Sequence, residues 1–340
     1  MKAAILQSPK KIELIKKEIP KLEDNEVLVK IAYGGICGSD VHGYQGDQPF
    51  ITYPRVMGHE ISGVVEKPNN SIFKKGDHVV IDPVLNCGKC YACNIGRPNV
   101  CRNMKVFGIH IDGGFQEYVK LPVKNIHKVN SSIDLKMATL AEPLSIGFEA
   151  NHRARVKKDD VVTVLGVGTI GIMVTLVAKS QGAKVIAVDI NENSLKLAQK
   201  LGADKIINAN KDDVNEEIKK FTDGEGSSVV IEATGSKKVI QDTLHYVSPA
   251  GRVVILTLVD KDLPISIAEL IKKEVDFLGS RLSNNFIPDA IEFIENNNKI
   301  SLLEDNIKIY PFADIEKVLS GQHESTSNII KRMVKINQEL

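Results

Sequence analysis

A glycine-rich turn between an apolar strand and a helix constrains the fold of this chain more than any other feature. Residues 161–165 (VVTVL) predict a strand buried on both faces, and residues 166–171 read GVGTIG and open a helix. The next predicted strand, Lys184–Asp189, ends in an acidic residue. The three glycines allow a tight turn, close approach of a pyrophosphate and helix packing, while the acid accepts hydrogen bonds from a ribose diol. The segment predicts a doubly wound parallel sheet that binds a dinucleotide at a helix N-terminus.

The charge of Asp189 bears on which dinucleotide binds. A carboxylate there repels a 2′-phosphate, and the neutral residues Ile190 and Asn191 follow, with no arginine to receive that group. These residues favour NAD over NADP. The alternative for the whole segment is an ordinary helix–sheet turn, but the strand before it and the acid after it favour the dinucleotide.

The character of the chain changes near residue 155. Residues 1–150 contain short strands separated by Gly, Pro and Asn turns, which predict a small β-rich, barrel-like domain. Residues 151–280 repeat strand–helix units, as a parallel sheet requires. The tail, residues 281–340, mixes both patterns, and spacing alone allows it to extend the sheet or to return to the first domain. A chain of 340 residues is expected to form two domains.

The charge balance and the apolar runs exclude several functions. Lys and Arg number 44 against 43 Asp and Glu, so no overall field attracts nucleic acid or an anionic membrane. The longest apolar run, Val161–Ala178, is interrupted by glycines and threonines, and is predicted as strand, turn and buried helix rather than a membrane span. The N-terminal apolar run is too short for a signal peptide, which predicts a cytoplasmic protein with reduced cysteines.

A cysteine cluster lies within a predicted lobe of about residues 84–114 and consists of Cys87, Cys90, Cys93 and Cys101. Four thiolates in one loop match the closed tetrahedral coordination of a structural zinc ion, whose binding energy then contributes to folding. Core cysteines do not cluster in this way, and a reducing compartment disfavours disulfides. An iron–sulfur cluster is the remaining alternative, although the dinucleotide segment does not call for one. The lobe is therefore predicted to hold structural zinc.

A second metal site is predicted from Cys37, His59, Glu60 and Glu142, which all lie in the β-rich part of the chain. A catalytic zinc needs about three protein ligands and one open position. Each residue alone has a simpler interpretation, such as a small core residue for Cys37 or a helix start for Glu142. A dinucleotide site, however, needs a group that polarises a hydroxyl. Together these residues indicate a metal-assisted oxidoreductase.

The chain resembles the zinc-containing medium-chain dehydrogenase/reductase (alcohol dehydrogenase) family over essentially its whole length. The motifs that carry the resemblance are CGSDVH (37–42), GHE (58–60), the four-cysteine lobe, DGGFQEY (112–118), EPLS (142–145) and GVGTIG (166–171). The EPLS form is similar to the sorbitol and threonine dehydrogenase branch, because the simple-alcohol branch has cysteine where Glu142 stands. The resemblance implies an α/β fold with a GroES-like catalytic domain, residues 1–150 and 281–340, and a Rossmann domain, residues 151–280.

The resemblance further implies two zinc ions per chain, one of them structural, and NAD as cofactors. Cys37 and His59 would bind the catalytic zinc, and Glu60 and Glu142 would be direct ligands or partners of its water. Which glutamate binds zinc at rest stays open. The residues assigned to the NAD site are Gly166, Gly168, Thr169, Ile170, Gly171, Asp189, Leu256, Thr257 and Leu258.

Roles towards the substrate also follow from the resemblance. Ser39 would take the proton of the substrate hydroxyl, and His42 would help pass it towards solvent. Arg281 matches a substrate-side arginine of the polyol branch. Arg281 or Arg55 could clamp a carboxylate bidentately; the alternative is that these arginines fix loops.

The expected function is oxidation of a secondary hydroxyl of a polyhydroxylated substrate. Residues 53–55, 82–84, 108–110 and 279–285 resemble a bacterial sub-branch that acts on sugar acids such as L-gulonate or L-galactonate at C5. Sorbitol, related polyols and L-threonine are the alternative substrates. A regulatory NAD-binding module is the non-enzymatic alternative, but such a chain is expected to lack part of the catalytic set, which is complete here. The resemblance implies a homodimer or homotetramer assembled through the nucleotide domain.

Overall fold

The computed structural model describes residues 1–69, 72–259, 262–322 and 328–340. The chain forms two compact units, Met1–Glu142 with Ile287–Leu340, and Pro143–Phe286. Among the described helices, none combines the length and the hydropathy that a bilayer crossing needs.

The strands are β1 (Lys2–Ser8), β2 (Lys11–Lys16), β3 (Glu26–Ile36), β4 (Arg55–Val56), β5 (Glu60–Pro68), β6 (His78–Ile81), β7 (Val84–Leu85), β8 (Lys105–Val106), β9 (Tyr118–Pro122), β10 (Ile126–Lys128), β11 (Val161–Leu165), β12 (Lys184–Asp189), β13 (Lys205–Asn208), β14 (Ser227–Glu232), β15 (Val247–Ile255), β16 (Asp276–Gly279), β17 (Ile307–Pro311) and β18 (Lys331–Lys335). The α-helices are α1 (Gly38–Gln45), α2 (Tyr91–Asn94), α3 (Leu135–Ala138), α4 (Ala141–Ala154), α5 (Thr169–Ser180), α6 (Glu192–Leu201), α7 (Val214–Phe221), α8 (Lys237–Tyr246), α9 (Ile267–Lys273), α10 (Ile287–Asn296) and α11 (Ile315–Ser320). Short 3₁₀ helices span Pro98–Val100, Val123–Asn125, Asn298–Asn306 and Phe312–Asp314.

The first unit is built around a seven-stranded sheet. Its main order is β10-β6-β5-β3-β18-β17, and β9 also pairs with β3. The central strand β3 is buried along most of its length, with Ile31 and Val29 fully enclosed in the unit's core. The tail strand β18 pairs antiparallel with the end of β3, where Arg332 lies opposite Ile36. The tail therefore returns to the β-rich unit.

The second unit is a six-stranded sheet in the order β13-β12-β11-β14-β15-β16. All five neighbouring pairs are parallel. The strands are rich in Val and Ile and almost wholly buried, because helices follow most of them and cover the sheet. The predicted α/β fold class, a β-rich domain with a doubly wound parallel-sheet domain, is confirmed.

The unit boundaries fall after residues 142 and 286 rather than after 150 and 280. Most of α4 packs with the second unit. Gly147 lies against the backbone of Met173, where an added Cβ would be 2.8 Å from the Met173 carbonyl carbon. The Asn151 side chain donates to the Val174 carbonyl at 3.2 Å. At the other boundary, Phe286 stacks with Phe148 at 6.0 Å between ring centroids. These contacts join different elements, so the hydrophobic periodicity of the sequence could not predict the unit boundaries.

Candidate active site

Three predicted metal ligands come together at the end of β3 and the start of β5. Cys37 follows β3 and is the N-cap of α1, while Glu60 opens β5 and lies opposite Gly35 of β3. One ligand atom each from Cys37, His59 and Glu60 lies within 4.8 Å of the other two. His59 and Glu60 are buried. A Cβ at Gly35 would lie 2.1 Å from Glu60 Oε2, so only glycine leaves room for this carboxylate.

Asp40 supports this group from behind. The fully buried carboxylate accepts hydrogen bonds from the backbone N–H of Cys37 at 2.9 Å and of Gly58 at 3.3 Å. Its Oδ1 also lies 3.7 Å from His59 Nδ1. Burial raises the pKa of Asp40, and His59 partly offsets this rise. Through its two backbone hydrogen bonds the Asp40 carboxylate joins both ligand-bearing segments, and its charge lies behind the imidazole.

Lys331 also belongs to this buried group, although it could not be predicted from the sequence. It begins β18, is only 3% exposed, and donates from Nζ to Glu60 Oε1 at 2.5 Å and to the Ile36 carbonyl at 3.3 Å. Burial lowers the pKa of Lys331, but Glu60 and Cys37 outweigh burial and raise it overall. Its partners are far away along the chain, so no local motif marks this lysine as part of the site.

Glu142 lies near this group but outside the set of three close ligand atoms. It is the last residue of the first unit and is buried. Burial is the main cause that raises the pKa of Glu142 to about 7, and the charge of Glu60 adds to it. Glu142 thus lies within electrostatic reach of His59 and Glu60.

The donor set fits a zinc ion. Thiolate, imidazole and carboxylate are the ligands that zinc takes in catalytic sites. The buried acidic groups outnumber the buried lysine, and their field is strong enough to raise the pKa of His59 well above its ordinary value despite complete burial. Burial opposes this shift, and Asp40 and Cys37 cause it. A region that stabilises positive charge in this way suits a divalent cation.

Ser39 and His42 lie one turn apart on α1, at helical spacing i and i+3, and therefore face the same side. Ser39 is half-buried, whereas His42 is exposed and its Nδ1 lies 3.1 Å from Asp47 Oδ1. Exposure therefore rises along α1 from the half-buried Ser39, two residues after Cys37, to the exposed His42.

The four-cysteine lobe brings its sulfurs together as predicted from their spacing. The Sγ atoms are 3.4 Å apart for Cys87 and Cys101, 3.5 Å for Cys90 and Cys93, and 3.7 Å for Cys90 and Cys101. A zinc tetrahedron with Zn–S bonds of about 2.3 Å has edges of about 3.8 Å. Backbone N–H groups, first that of Cys93, lower the pKa of Cys90 to about 6, whereas desolvation and the neighbouring sulfurs raise the pKa of Cys93 to about 11. The lobe fits a structural zinc ion.

In the second unit, each glycine of the predicted dinucleotide turn has a distinct surrounding. Gly166 has φ +84°, and a Cβ there would meet Thr234 Cγ2 at 2.7 Å. Gly168, the N-cap of α5, is exposed, and a Cβ there would meet nothing within 4 Å. A Cβ at Gly171 would lie 1.9 Å from the Gly166 carbonyl oxygen. Thr169 and Ile170 form the half-buried first turn of α5. Open space at this helix N-terminus suits a pyrophosphate.

A cavity of about 410 Å³ adjoins this turn. Asp189 lies on its wall, where its carboxylate accepts from the N–H of Val167 at 2.7 Å and of Asn191 at 2.9 Å. Seven further lining residues could not be predicted from the sequence, because they come from separate elements of the unit. They are Ala209, Val214, Ala233, Thr234, Ser236, Val239 and Tyr246.

The remaining predicted residues lie at loop positions. Leu256, Thr257 and Leu258 directly follow β15, and Leu258 is 76% exposed. Arg55 donates to Thr52 Oγ1 at 2.8 Å and lies 3.5 Å from Asp112, which is the loop-fixing arrangement considered above. Arg281 is exposed and follows β16 in the second unit.

Two family models match the chain. The one described as alcohol dehydrogenase GroES-like domain matches residues 23–131, and the one described as zinc-binding dehydrogenase matches residues 169–296. The chain is 36% identical to L-galactonate-5-dehydrogenase of Escherichia coli K12 over 340 residues, covering 98% of both chains. It is 38% identical to L-threonine 3-dehydrogenase of Pyrococcus horikoshii over 265 residues, covering 76% of both.

A solved structure shows the same fold. The chain matches the alcohol dehydrogenase rspB of Escherichia coli CFT073, complexed with NADH, with a TM-score of 0.91 and 30% identity over 99% of both chains. The chain therefore belongs to the zinc-type medium-chain alcohol dehydrogenase family of NAD(P)-dependent oxidoreductases. Within that family it is related to the polyol and sugar-acid dehydrogenases. The predicted family, enzyme class and cofactor types are confirmed.

Proposed function

We propose that this enzyme oxidises a secondary hydroxyl of a sugar acid, such as L-gulonate or L-galactonate at C5, with NAD as the hydride acceptor. The observation that carries the proposal is the buried group of Cys37, His59 and Glu60, with Lys331 and Glu142 beside it. Similarity to L-galactonate-5-dehydrogenase over 98% of both chains supports the substrate class.

When bound, zinc would supply Lewis acidity at a substrate hydroxyl, and NAD would supply the hydride acceptor. Cys37 and His59 would hold the metal, and the Asp40 carboxylate lies 3.7 Å behind the His59 ring. Glu60 and Glu142 are further ligands or partners of water, and Lys331 holds the Glu60 carboxylate by direct contact.

The proton of the substrate hydroxyl leaves along α1. Ser39, half-buried and two residues from Cys37, accepts it, and His42, one turn further on and exposed, releases it to solvent. Asp47 Oδ1 lies 3.1 Å from His42 Nδ1 and holds the ring at the exposed end of this path. The chain's own groups thus provide both steps of deprotonation.

A polyhydroxylated, acidic substrate suits the remaining side chains. Arg281 is exposed, and its guanidinium can bind a carboxylate bidentately. Arg55 has the same chemistry, but it binds Thr52 and Asp112, an arrangement that fixes its loop. Asp189, on the cavity wall, favours NAD over NADP because its charge repels a 2′-phosphate.

A substrate screen tests the proposal. NAD reduction is followed at 340 nm with hexonates, pentitols, hexitols and L-threonine at matched pH and concentration. We expect a hexonate to give the highest kcat/KM, and we expect its uncharged alditol to be poorer because it cannot pair with an arginine. Reaction with L-threonine alone would refute the sugar-acid assignment and favour the second candidate, threonine oxidation, which the 38% identity to the Pyrococcus enzyme supports.

We also propose that the enzyme is a cytoplasmic homodimer or homotetramer assembled through the second unit. In the described sheet β16 is an edge strand, and an unpaired edge is available for pairing with a second copy. Three thiols of the cysteine lobe, those of Cys87, Cys90 and Cys93, are half-buried, and free thiols suit a reducing compartment. Light scattering on the purified protein decides the assembly, and a monomeric mass would contradict it.

A further inference from the structure

Glu232 is a fully buried carboxylate outside the predicted cofactor contacts. It ends β14 and has 0% exposure. Its Oε1 accepts from the Thr234 N–H at 2.6 Å, the Thr234 hydroxyl at 2.5 Å and the Gly235 N–H at 2.8 Å. Its Oε2 accepts from the Thr257 hydroxyl at 2.7 Å. One side chain thereby joins two loops, which we call the Thr234 loop (residues 233–236) and the Thr257 loop (residues 256–258).

Both loops begin at the same edge of the sheet. Strands β14 and β15 are parallel neighbours, with Glu232 opposite Ile255, so their carboxyl ends lie side by side. In an open parallel sheet this edge is where a dinucleotide binds. The Thr234 loop lines the cavity beside Gly166 and Asp189.

The Thr234 loop also packs on the glycine turn itself. A Cβ at Gly166 would lie 2.7 Å from Thr234 Cγ2 and 3.2 Å from Ala233 C. Any displacement of Thr234 would therefore change the shape of the turn that approaches the pyrophosphate. The carboxylate that fixes Thr234 is placed to control that shape, although it does not itself line the cavity.

We infer that Glu232 is a positioning residue for the dinucleotide. It holds the Thr234 loop, which lines the cavity, against the glycine turn and ties it to the Thr257 loop, where cofactor contacts are predicted. Both loops are thereby in place before the cofactor arrives. This inference rests on the proposed use of NAD. Preorganised loops lower the entropy lost on binding, so losing the link weakens cofactor affinity rather than the chemistry at the metal.

Direct titration of NADH, in the absence of substrate, tests this role. The chain has no tryptophan, so the increase in NADH fluorescence is measured over little protein background. Glu232→Ala removes all four contacts, and we expect the Kd for NADH to rise about tenfold or more, since hydrogen bonds to a carboxylate are among the stronger ones. KM for NAD should rise in parallel, while zinc content and the KM of the sugar acid stay unchanged.

Glu232→Gln is the conservative control. Its amide oxygen can accept from Thr234 and Gly235, and its amide nitrogen can donate to the Thr257 hydroxyl, so NADH affinity should be restored to within about threefold. A melting temperature that falls in Glu232→Ala with a Kd for NADH within twofold of wild type would overturn the inference, because the side chain would then only stabilise the fold.

Thr257→Val decides the matter if Glu232→Ala does not fold. It removes only the Oε2 contact, and we expect a rise in the Kd for NADH of about threefold to tenfold, whereas Thr257→Ser should bind as wild type does. An unchanged Kd in Thr257→Val would overturn the inference. A wild-type protein that binds neither NADH nor NADPH would instead refute the proposed function, and the inference with it.

Discussion

Lys331 and Glu60 form a buried ion pair whose removal has a calculable effect. Lys331→Met keeps the length of the side chain but removes its charge, leaving the Glu60 carboxylate without its cation and the Ile36 carbonyl without a donor. The exposures of the two side chains, 3% and 1%, mean that water cannot replace the lysine. The substitution therefore leaves the buried Glu60 charge in the first unit without its lysine partner.

Breaking a buried pair by removing one partner costs about 3–5 kcal/mol. A cost of 1 kcal/mol lowers the melting temperature of a domain of 150–250 residues by about 2–4 °C, so the variant should melt about 6–20 °C below wild type. Differential scanning calorimetry measures this difference. Lys335→Met, on the same strand but half-buried, is the matched control and should stay within about 4 °C of wild type.

The double variant Lys331→Met with Glu60→Gln separates the pair from the packing. Because it removes both charges, most of the lost melting temperature should return even though activity does not. If Lys331→Met melts as wild type does, or if the double variant is no more stable than the single one, the ion pair does not support the site.

Three further substitutions test other contacts. Asp40→Asn should weaken zinc binding at the catalytic site by about tenfold to a hundredfold, as measured by competition with a chelator. A zinc affinity equal to that of wild type would show that Asp40 does not support the metal ligands. Glu142→Ala should lower turnover far more than it alters the Kd for NAD; full turnover with full zinc content would remove Glu142 from the mechanism. Asp189→Ala should lower kcat/KM for NAD and raise it for NADP, since a repulsive charge is lost, and an unchanged ratio of the two would show that Asp189 does not select the cofactor.

Features encoded in a few neighbouring residues could be predicted from the sequence. The glycine turn of residues 166–171 and the cysteine lobe each have all their functional residues within one short segment, so spacing alone identifies them. The spacing of elements in the tail does not decide whether it extends the parallel sheet or returns to the β-rich unit. The family resemblance alone predicts the return. In the structure the tail does return, because its strand β18 pairs with β3.

Long-range contacts account for what could not be predicted. Lys331 is 271 positions from Glu60, and no periodicity in the tail distinguishes it from the other lysines. No local motif marks Glu232, because its role depends on Thr257 in the next strand's loop. The extent of α4 in the second unit likewise depends on Asn151 and Val174, which belong to different helices.

Zinc stoichiometry tests the central claim, a catalytic metal held by Cys37 and His59 apart from the structural metal of the cysteine lobe. Native mass spectrometry of the purified wild-type protein should show two zinc ions per chain. Cys37→Ala should retain one zinc ion, keep its fold and lose dehydrogenase activity, because the cysteine lobe is untouched. Two zinc ions in an active Cys37→Ala variant would contradict this account.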